Sequence, residues 1–398
     1  MRTWLLAATF ATLATLAPSG LAACGGSDDD GATDVDAGGV DLTKPVSLDL
    51  AAPPADKLSA YNLFAWDPAS GFTFNETGGR IVPYDLNTPL FSDHALKQRA
   101  IYVPPGAAAT YDPELAFDLP VGSVVIKNFL FPADFRDPTA NVKLIETRLL
   151  VRHDDGWHPL PYIWDADQRD ATYSPAGEVR PIQFVDEHGA SQTASYLVPQ
   201  RNQCQTCHGR KETPDSPLVI SLIGIKARHL NRSYDYGGAV GTVNQLDRLT
   251  AAGLLTGAPP AADAPKAYDF RPIEAGGVAA IPPADLDAAA RSYLDINCSH
   301  CHSPTGVQGM TSQLFLDHGN TDLFRLGVCK RPGSAGAGTG GFTFDIVPGD
   351  PDTSILYFRV HTDQVGAMMP LLGRSLVHAR GAELLHAWIA QMAPMACE

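Results

Sequence analysis

The stretch PPADLDAAARSYLDINCSHCH (residues 282–302) joins a predicted helix directly to two cysteines and a histidine. Pro282 and Pro283 followed by Asp285 are typical of a helix N-terminus. The apolar residues that follow recur at the three- and four-residue spacing of one helix face: Leu286, Ala289, Ala290, Tyr293 and Ile296. The sequence therefore predicts a helix that leads straight into the pattern Cys-x-x-Cys-His.

A second helix is predicted near the end of the chain, in GAELLHAWIAQM (residues 381–392). Its apolar stripe consists of Leu384, Leu385, Trp388, Ile389 and Met392. Because such a stripe is buried against another element, we expect this helix to cross the helix that precedes the cysteine motif. The two helices would then bracket the segment between them.

The pattern Cys-x-x-Cys-His occurs twice, in NQCQTCHGR (residues 202–210) and in NCSHCHSP (residues 297–304). In a c-type haem, both thiols of this pattern add to the porphyrin vinyl groups, and the histidine becomes the proximal iron ligand. The chain is therefore predicted to carry two covalently bound haems. The predicted residues are Cys204, Cys207 and His208 for haem 1, and Cys298, Cys301 and His302 for haem 2.

Three other uses of these cysteines compete with haem attachment. A four-cysteine zinc site would pair the two motifs, but about ninety residues separate them, far more than separate the usual zinc half-sites. A thioredoxin-like dithiol opens a helix after a strand, whereas the first motif follows Pro199 and the second ends a helix. A disulfide within each motif leaves the repeated histidine unexplained.

The segment VGAMMPLLGRSLVH (residues 365–378) supplies the predicted distal ligand of haem 2. Pro370 favours an extended or turned backbone before it, so that a thioether can face the iron. Met369 is the predicted ligand, with Met368 as the alternative. We expect His300, inside the second motif, to point away from the iron and to have no special role.

The sixth ligand of haem 1 is harder to assign, because no methionine occurs between Met1 and Met310. His229, on a predicted helix after the first motif, is the first candidate. An open coordination site is an alternative, as are three histidines of the N-terminal half: His94, His153 and His158. Basic residues near His229 are candidates for binding the haem propionates: Lys226, Arg228 and Arg232.

The N-terminus indicates the compartment. MRTWLLAATFATLATLAPSGLAAC (residues 1–24) has the layout of a secretory signal, and a cysteine after Leu-Ala-Ala resembles a bacterial lipobox, which predicts lipidation of Cys24. The alternatives are an uncleaved membrane anchor and a plain secretory signal that happens to be followed by a cysteine. GGSDDDGATDVDAGG (residues 25–39) reads as a flexible acidic tether. The body is therefore expected at the bacterial cell envelope, lipid-anchored and facing the periplasm or the cell surface.

The net charge of the chain limits the classes of partner that it can bind. The formal net charge is -15 at pH 7, and an acidic chain without basic clusters argues against nucleic acid as a partner. The charge is compatible with a basic soluble partner.

Cys329 and Cys397 belong neither to the lipobox nor to the two haem motifs. Since disulfides persist in this compartment, we predict one bridge between them.

The N-terminal half predicts antiparallel β-structure. Short β-branched and aromatic runs alternate with turn residues in SVVIKNFLF (123–131), VKLIETRLLVRH (142–153) and IQFVD (182–186). In LIETRLL, alternation places Glu146 and Arg148 on one face and apolar residues on the other. The aromatic residues of GWHPLPYIWDAD (156–167) are interpreted as filling of a β core, with a haem edge or a ligand groove as the alternative.

Several segments resemble known families. CSHCHSP, IVPGDPDTSILYFRV (346–360), MMPLLGR and LLHAWIAQM closely resemble a c-type cytochrome domain of secreted bacterial proteins, although Leu371 replaces the usual second proline of the Met-Pro-Pro turn. From about residue 84 onward the chain resembles a family of lipid-anchored diheme c-type cytochromes. The matching segments are YDLNTPLFSDHALKQR, FDLPVGSVVIKNF, LIETRLLVRHDDGWHPLPYIWDADQRDA, NQCQTCH, GIKARHLNRSYDY and NQLDRL. The resemblance implies two covalent haems and electron transfer, and it implies no substrate.

These observations predict an α+β, multidomain chain. A signal peptide (1–23) and a tether (24–45) precede a β-rich domain (46–198), a mainly α-helical segment with the first haem motif (199–280) and a cytochrome c-like all-α domain (281–398). The expected function is a lipid-anchored carrier that relays single electrons between redox partners such as a dehydrogenase or another cytochrome. The alternative is a peroxidase-like diheme enzyme with an open coordination site on haem 1.

Overall fold

The structure is a computed structural model, and it describes residues 44–67 and 71–398. The described residues belong to one compact unit. The predicted signal peptide, the predicted lipidation site Cys24 and nearly all of the predicted tether lie outside the described residues. Within the described part of the chain, no helix is long and apolar enough to cross a membrane.

The strands lie in the N-terminal two thirds of the chain. Their bounds in chain order are β1 Phe64–Asp67, β2 Gly71–Phe74, β3 Ile81–Tyr84, β4 Leu96–Tyr102, β5 Ala109–Thr110, β6 Val124–Phe131, β7 Lys143–His153, β8 Gly156–Trp164, β9 Ala171–Tyr173, β10 Glu178–Val185, β11 Ser191–Val198, β12 Gly209–Arg210, β13 Val219–Ile220, β14 Ser233–Asp235, β15 Thr242–Asn244 and β16 Leu255–Thr256.

The central element is a six-stranded sheet in the order β3-β4-β6-β7-β8-β9, with every neighbouring pair antiparallel. One face covers an apolar core that includes Ala100, Ile126, Leu149 and Leu160. The opposite face carries Ile101, Val125 and Leu150, which pack against residues of the segment after the first motif. Both faces are therefore covered, which explains why β6 reads as an almost continuous apolar run.

Strand β7 differs from a strand with one solvent-exposed face, because both of its faces are covered. Glu146 and Arg148 do share a face, as alternation predicted, but that face is covered and Glu146 is fully buried. Its carboxylate accepts hydrogen bonds from Arg148 Nε at 2.6 Å and from the Tyr196 hydroxyl at 3.0 Å. The hairpin β10–β11, which carries Tyr196, provides this cover.

The helices are concentrated after residue 200. Their bounds are α1 Cys204–His208, α2 Ala227–Leu230, α3 Gln245–Ala251, α4 Arg271–Gly276, α5 Leu286–Asn297, α6 Val307–Ser312, α7 Leu323–Leu326, α8 Ile355–His361 and α9 Ala379–Gln391. Helices and sheet together make the fold α+β, as the sequence predicted.

Residues 199–280 are less helical than the sequence predicted. Helices α1 to α4 are at most seven residues long, and short ladders β12–β13 and β14–β15 alternate with them. Strand β16 pairs in parallel with β5 of the N-terminal half. Prolines and glycines interrupt this segment, and its apolar residues are buried against the sheet instead of forming a helical core of their own.

In the C-terminal part, helices α5 and α9 cross and share one apolar core. Gly381 of α9 lies so close to the Tyr293 ring of α5 that a Cβ atom there would overlap it. The Trp388 indole donates a hydrogen bond to Asp287 Oδ1 at 2.9 Å. A disulfide joins Cys329 to Cys397, across 68 residues of sequence.

Candidate functional site

The first cysteine motif forms a helical turn. The side chain of Gln203 accepts a hydrogen bond from the Gln200 amide at 2.9 Å, and a capping box between these two residues starts the turn just after Pro199. Helix α1 then places Cys204, Cys207 and His208 three and four residues apart. At this spacing the three side chains share one face of the helix.

His208 has the geometry of an oriented ligand. Its Nδ1 lies 2.7 Å from the carbonyl oxygen of Ser221. Burial lowers the pKa of His208 to about 4, so the ring is neutral at physiological pH. Because Nδ1 donates its proton to the carbonyl, the lone pair resides on Nε2. A backbone carbonyl that fixes the tautomer in this way is the usual second partner of a metal-binding histidine.

The first motif opens on a cavity that we call cavity 1. Part of its lining comes from the second face of the sheet. Another part comes from α1 with Cys204, Cys207 and His208, together with residues 222–225. Apolar side chains dominate the lining, among them Leu86, Val125, Leu150, Leu222 and Ile225. Mostly apolar clefts with few polar groups are typical of cofactor sites.

Three basic residues interrupt the apolar sheet wall of cavity 1. Arg99, Lys127 and Arg148 occupy neighbouring positions on β4, β6 and β7. Arg99 pairs with Asp85 at 2.8 Å, and Arg148 pairs with Glu146 at 2.6 Å. The row gives cavity 1 a cationic stripe on an otherwise apolar wall.

The second motif also forms a helical turn, directly after α5. The amides of Cys301 and His302 donate to the Cys298 carbonyl at 3.1 and 2.9 Å. Burial lowers the pKa of His302 to about 4, and its Nδ1 is buried without a hydrogen-bond partner. The His302 ring is therefore neutral and available to a ligand.

The second motif opens on its own cavity, which we call cavity 2. Cys298, Cys301 and His302 line it, and so does Met369. Met368, the alternative considered from the sequence, is not among the lining residues. The structure thus brings Met369 to the cavity that the second motif faces.

A buried arginine fixes the turn that carries Met369. Arg374 donates from Nε to the Met369 carbonyl at 2.9 Å and from Nη1 to the Leu376 carbonyl at 3.0 Å. Its Nη2 donates to the carbonyls of Arg359 and Thr362 at 3.1 and 2.8 Å. One planar guanidinium thus ties the methionine turn to the end of α8.

The two motifs touch each other. Ligand atoms of Cys207, His300 and Cys301 all lie within 4.8 Å of one another. The Cys301 thiol also lies 3.1 Å from the Thr206 carbonyl. The pKa of Cys207 is held well below its ordinary value, because the Cys301 thiol and the His300 ring both bond to its sulfur. Cavities 1 and 2 accordingly share lining residues: Cys207, Asn297, His300, Pro370 and Leu372.

His229, the first candidate for the sixth ligand of haem 1, lies elsewhere. It is fully buried, and its Nε2 is 2.9 Å from Asp295 Oδ2. Burial is the main cause that lowers the pKa of His229, and Asp295 opposes it. His229 does not line cavity 1, so the structure does not bring it to the first motif.

The remaining histidines considered from the sequence also lie away from cavity 1. His94 packs among the rings of Phe91, Phe135 and Phe184. His153 and His158 stack on each other with ring centroids 4.0 Å apart at the β7–β8 hairpin.

The basic residues proposed for the propionates form ion pairs outside cavity 1. Lys226 bonds to Asp295 at 3.0 Å, Arg232 bonds to Asp85 at 3.1 Å, and Arg228 pairs with Glu114.

The basic residues that do line the cavities were missed from the sequence. They are Arg99, Lys127 and Arg148 in cavity 1, and Lys330 and Arg359 in cavity 2. The sequence offers one signal for this group, because Lys127 stands in the middle of VVIKNFLF, where an unpaired charge is costly to bury.

Comparison of the chain with protein-family models, with curated proteins and with solved structures finds no match. The function is therefore argued from the geometry of the two motifs and their cavities.

Proposed function

We propose that this protein is a lipid-anchored c-type cytochrome with two covalently bound haems, which relays single electrons between redox partners at the cell envelope. One observation carries the proposal. Two Cys-x-x-Cys-His motifs, 94 residues apart in sequence, meet in space while each opens on a cavity of its own.

The donor set of cavity 1 fits a c-type haem. Cys204 and Cys207 present two sulfurs on one helix face, and His208 presents a neutral imidazole whose tautomer is set by the Ser221 carbonyl. The apolar lining suits a porphyrin, and the basic stripe suits its propionates.

Cavity 2 supports the same interpretation with a more complete ligand set. His302 and Met369 both line it, so a proximal imidazole and a thioether are available. A Met/His axial pair raises the reduction potential of a c-type haem. Lys330 and Arg359 supply positive charge, although Lys330 also pairs with Asp345 at 3.2 Å.

The C-terminal fold is compatible with a cytochrome c-like domain. Helix α5 leads into the second motif, α9 crosses it, and the methionine turn lies between them in sequence. This order of elements supports the cytochrome c-like domain proposed for residues 281–398.

The contact between the motifs favours a relay. A haem supplies one-electron iron chemistry. Since the sulfurs of Cys207 and Cys301 lie within 4.8 Å of each other, groups attached to them are neighbours within one compact unit. This proximity suits the transfer of electrons between two adjacent centres.

A redox titration of the secreted body, produced with the haem maturation machinery, tests the relay. We expect two one-electron transitions, no carbon monoxide binding and no turnover of peroxide. The double variant Cys204→Ser/Cys207→Ser should lose one transition and keep the other. A wild-type protein with rapid peroxide turnover would instead support the peroxidase-like enzyme.

A metal site is the second candidate, because Cys207, His300 and Cys301 lie close enough to ligate one ion. Two thiolates and an imidazole suit Zn²⁺. This use and haem attachment exclude each other, since a thioether sulfur is no longer a thiolate. Zinc in stoichiometric amount, with four titratable thiols in the unfolded chain, would establish the metal site and overturn the haem proposal.

A further inference from the structure

The sheet wall of cavity 1 carries one basic residue whose charge is not balanced. The register aligns Arg99 with Lys127 and Lys127 with Arg148, so the three side chains lie side by side on one face. Like charges directly opposite one another destabilise a sheet. Arg99 and Arg148 are each compensated by a carboxylate, at 2.8 and 2.6 Å.

Lys127 has no such compensation. Its Nζ forms no hydrogen bond or ion pair with any residue in the described ranges 44–67 and 71–398. It lies over the ring of Phe129, 4.8 Å from the ring centroid. Lys127 is half-buried and lines cavity 1. An unpaired amine on an apolar wall is unfavourable unless the cavity holds a partner for it.

The position of Lys127 relative to the first motif suggests what that partner is. Val125, Lys127 and Phe129 share one face of β6 and line cavity 1 together with His208 of α1. The charge of Lys127 contributes to the lowered pKa of His208, which reflects their proximity.

Few side chains on the sheet wall could bind iron. The guanidinium groups of Arg99 and Arg148 stay protonated and carry no lone pair for a metal. Tyr84 of β3 also lines the cavity, but burial raises the pKa of its hydroxyl to about 12, so that the group stays protonated. The other sheet residues that line the cavity are apolar, namely Val125, Phe129, Leu149, Leu150, Pro159, Leu160 and Pro161. Lys127 is therefore the sheet-wall residue whose nitrogen can serve as a ligand.

His300 also lines cavity 1, and its Nδ1 is buried without a hydrogen-bond partner. It belongs to the second motif and lies within 4.8 Å of the sulfurs of Cys207 and Cys301, both of which are predicted attachment points. We therefore associate His300 with the contact between the two motifs and not with the iron of haem 1.

We propose that Nζ of Lys127 is the sixth ligand of the iron in haem 1, with His208 as the other protein ligand. This inference rests on the proposed function, because it requires a haem on the first motif. It assigns the ligand that the sequence left open, and it gives both haems two protein ligands. Two protein ligands on each iron favour the electron carrier over the peroxidase-like enzyme.

Burial supports the proposal, since an amine must be neutral to bind a metal. Burial lowers the pKa of Lys127 well below its ordinary value, and the neighbouring charges of Arg99, Lys97 and Arg148 lower it further, while the carboxylate of Glu146 opposes them. On ligation the displaced proton passes to solvent, and no oxidation or reduction takes place.

Electron paramagnetic resonance and carbon monoxide binding of the holoprotein test the proposal with two variants and one control. Lys127→Arg keeps the positive charge and removes the ligand. Lys127→Met replaces the amine by a thioether. Lys97→Met is the matched control, because Lys97 lies on the same sheet face, opposite Phe129, and does not line cavity 1.

We expect two low-spin haems in the wild type and in Lys97→Met. Lys127→Arg should convert one haem to a high-spin form that binds carbon monoxide. Lys127→Met should restore a low-spin haem with a raised potential.

Three results would overturn the proposal: a high-spin haem in the wild type, an unchanged low-spin spectrum in Lys127→Arg, or the same change in Lys97→Met. An unchanged Lys127→Arg spectrum would mean that Lys127 serves only a propionate. Haem counting by pyridine haemochrome distinguishes a failure of the proposed function from a failure of the ligand assignment. Fewer than two haems per chain defeats the proposed function as well, whereas two haems with an unchanged Lys127→Arg defeats only the ligand assignment.

Discussion

Replacing Asp295 by asparagine should destabilise the protein strongly, because this residue joins the segment after the first cysteine motif to the helix that leads into the second motif. Asp295 is fully buried on α5, three residues before Cys298. Its carboxylate accepts from Lys226 Nζ at 3.0 Å and from His229 Nε2 at 2.9 Å. Arg228 Nη1 lies 3.6 Å from it.

The expected loss of stability can be derived from the two buried positive charges that remain after the substitution. The Lys226 side chain is 16% exposed and that of Arg228 is 4% exposed, so both charges would lose their buried counter-ion. Removing one partner of a buried ion pair costs about 3–5 kcal/mol. Because Arg228 also pairs with Glu114, we expect the lower end, about 3 kcal/mol, or roughly a hundredfold in the folding equilibrium.

The effect should depend on pH in a defined direction. Burial alone would raise the pKa of Asp295, but the His229 bond and the charges of Lys226 and Arg228 hold it well below its ordinary value. The folded-state pKa therefore lies below the unfolded value of about 4. The stabilisation is present above that value and is lost as the pH falls through the folded-state pKa.

Urea unfolding of the holoprotein, followed by far-ultraviolet circular dichroism at pH 7 and under acid conditions, measures the effect. Asp215→Asn is the control, since Asp215 is exposed, and it should change stability by less than about 0.5 kcal/mol. A loss below about 1 kcal/mol for Asp295→Asn at pH 7 would refute the reasoning. So would a difference that stays constant as the pH falls.

Three further predictions concern the C-terminal part. Arg374→Lys cannot reproduce the four carbonyl contacts of the guanidinium. The substitution should therefore loosen the methionine turn and lower the reduction potential of the haem proposed at the second motif. An unchanged potential in a redox titration would contradict this expectation. Gly381→Ala should cost about 1–3 kcal/mol by overlap with the Tyr293 ring, and a melting temperature equal to wild type would show that α5 and α9 do not pack this closely. Cys329→Ser/Cys397→Ser should cost about 2–5 kcal/mol in urea unfolding, and a loss below about 1 kcal/mol would argue against a stabilising bridge.

The C-terminal helices could be predicted from the sequence because their signals are local. The stripe that begins at Leu286 and the proline pair before it mark α5, which spans Leu286–Asn297. The stripe from Leu384 to Met392 likewise marks α9, which spans Ala379–Gln391. A helix contains its own hydrogen bonds and its own apolar face, so a short window of sequence contains the information.

The contact between the motifs could not be predicted in this way. Cys207 and Cys301 are 94 residues apart, and no local pattern in either motif indicates the other. Their approach depends on tertiary contacts, such as the bond from the Lys211 amide to the Thr305 carbonyl at 2.9 Å. The sequence had suggested no role for His300, which the structure places between the two motifs.

The basic stripe of cavity 1 was missed for a related reason. Lys127 is conspicuous in its strand, but its neighbours Arg99 and Arg148 become visible only when the register is known. A one-residue slip would reverse the face on which each side chain lies. Residue type and position in the chain do not identify an iron ligand by themselves. His229 was a candidate on both grounds, but in the structure its ring forms a hydrogen bond with the buried carboxylate of Asp295.

Haem counting decides whether the two motifs carry covalent haems. The secreted body should be produced with the haem maturation machinery, denatured, and measured by pyridine haemochrome and by intact mass, with the attachment sites located on proteolytic peptides. We expect two covalent haems per chain, one on the peptide with Cys204 and Cys207 and one on the peptide with Cys298 and Cys301. A denatured chain that carries no haem, with its four motif thiols free and a metal ion released, would contradict this expectation.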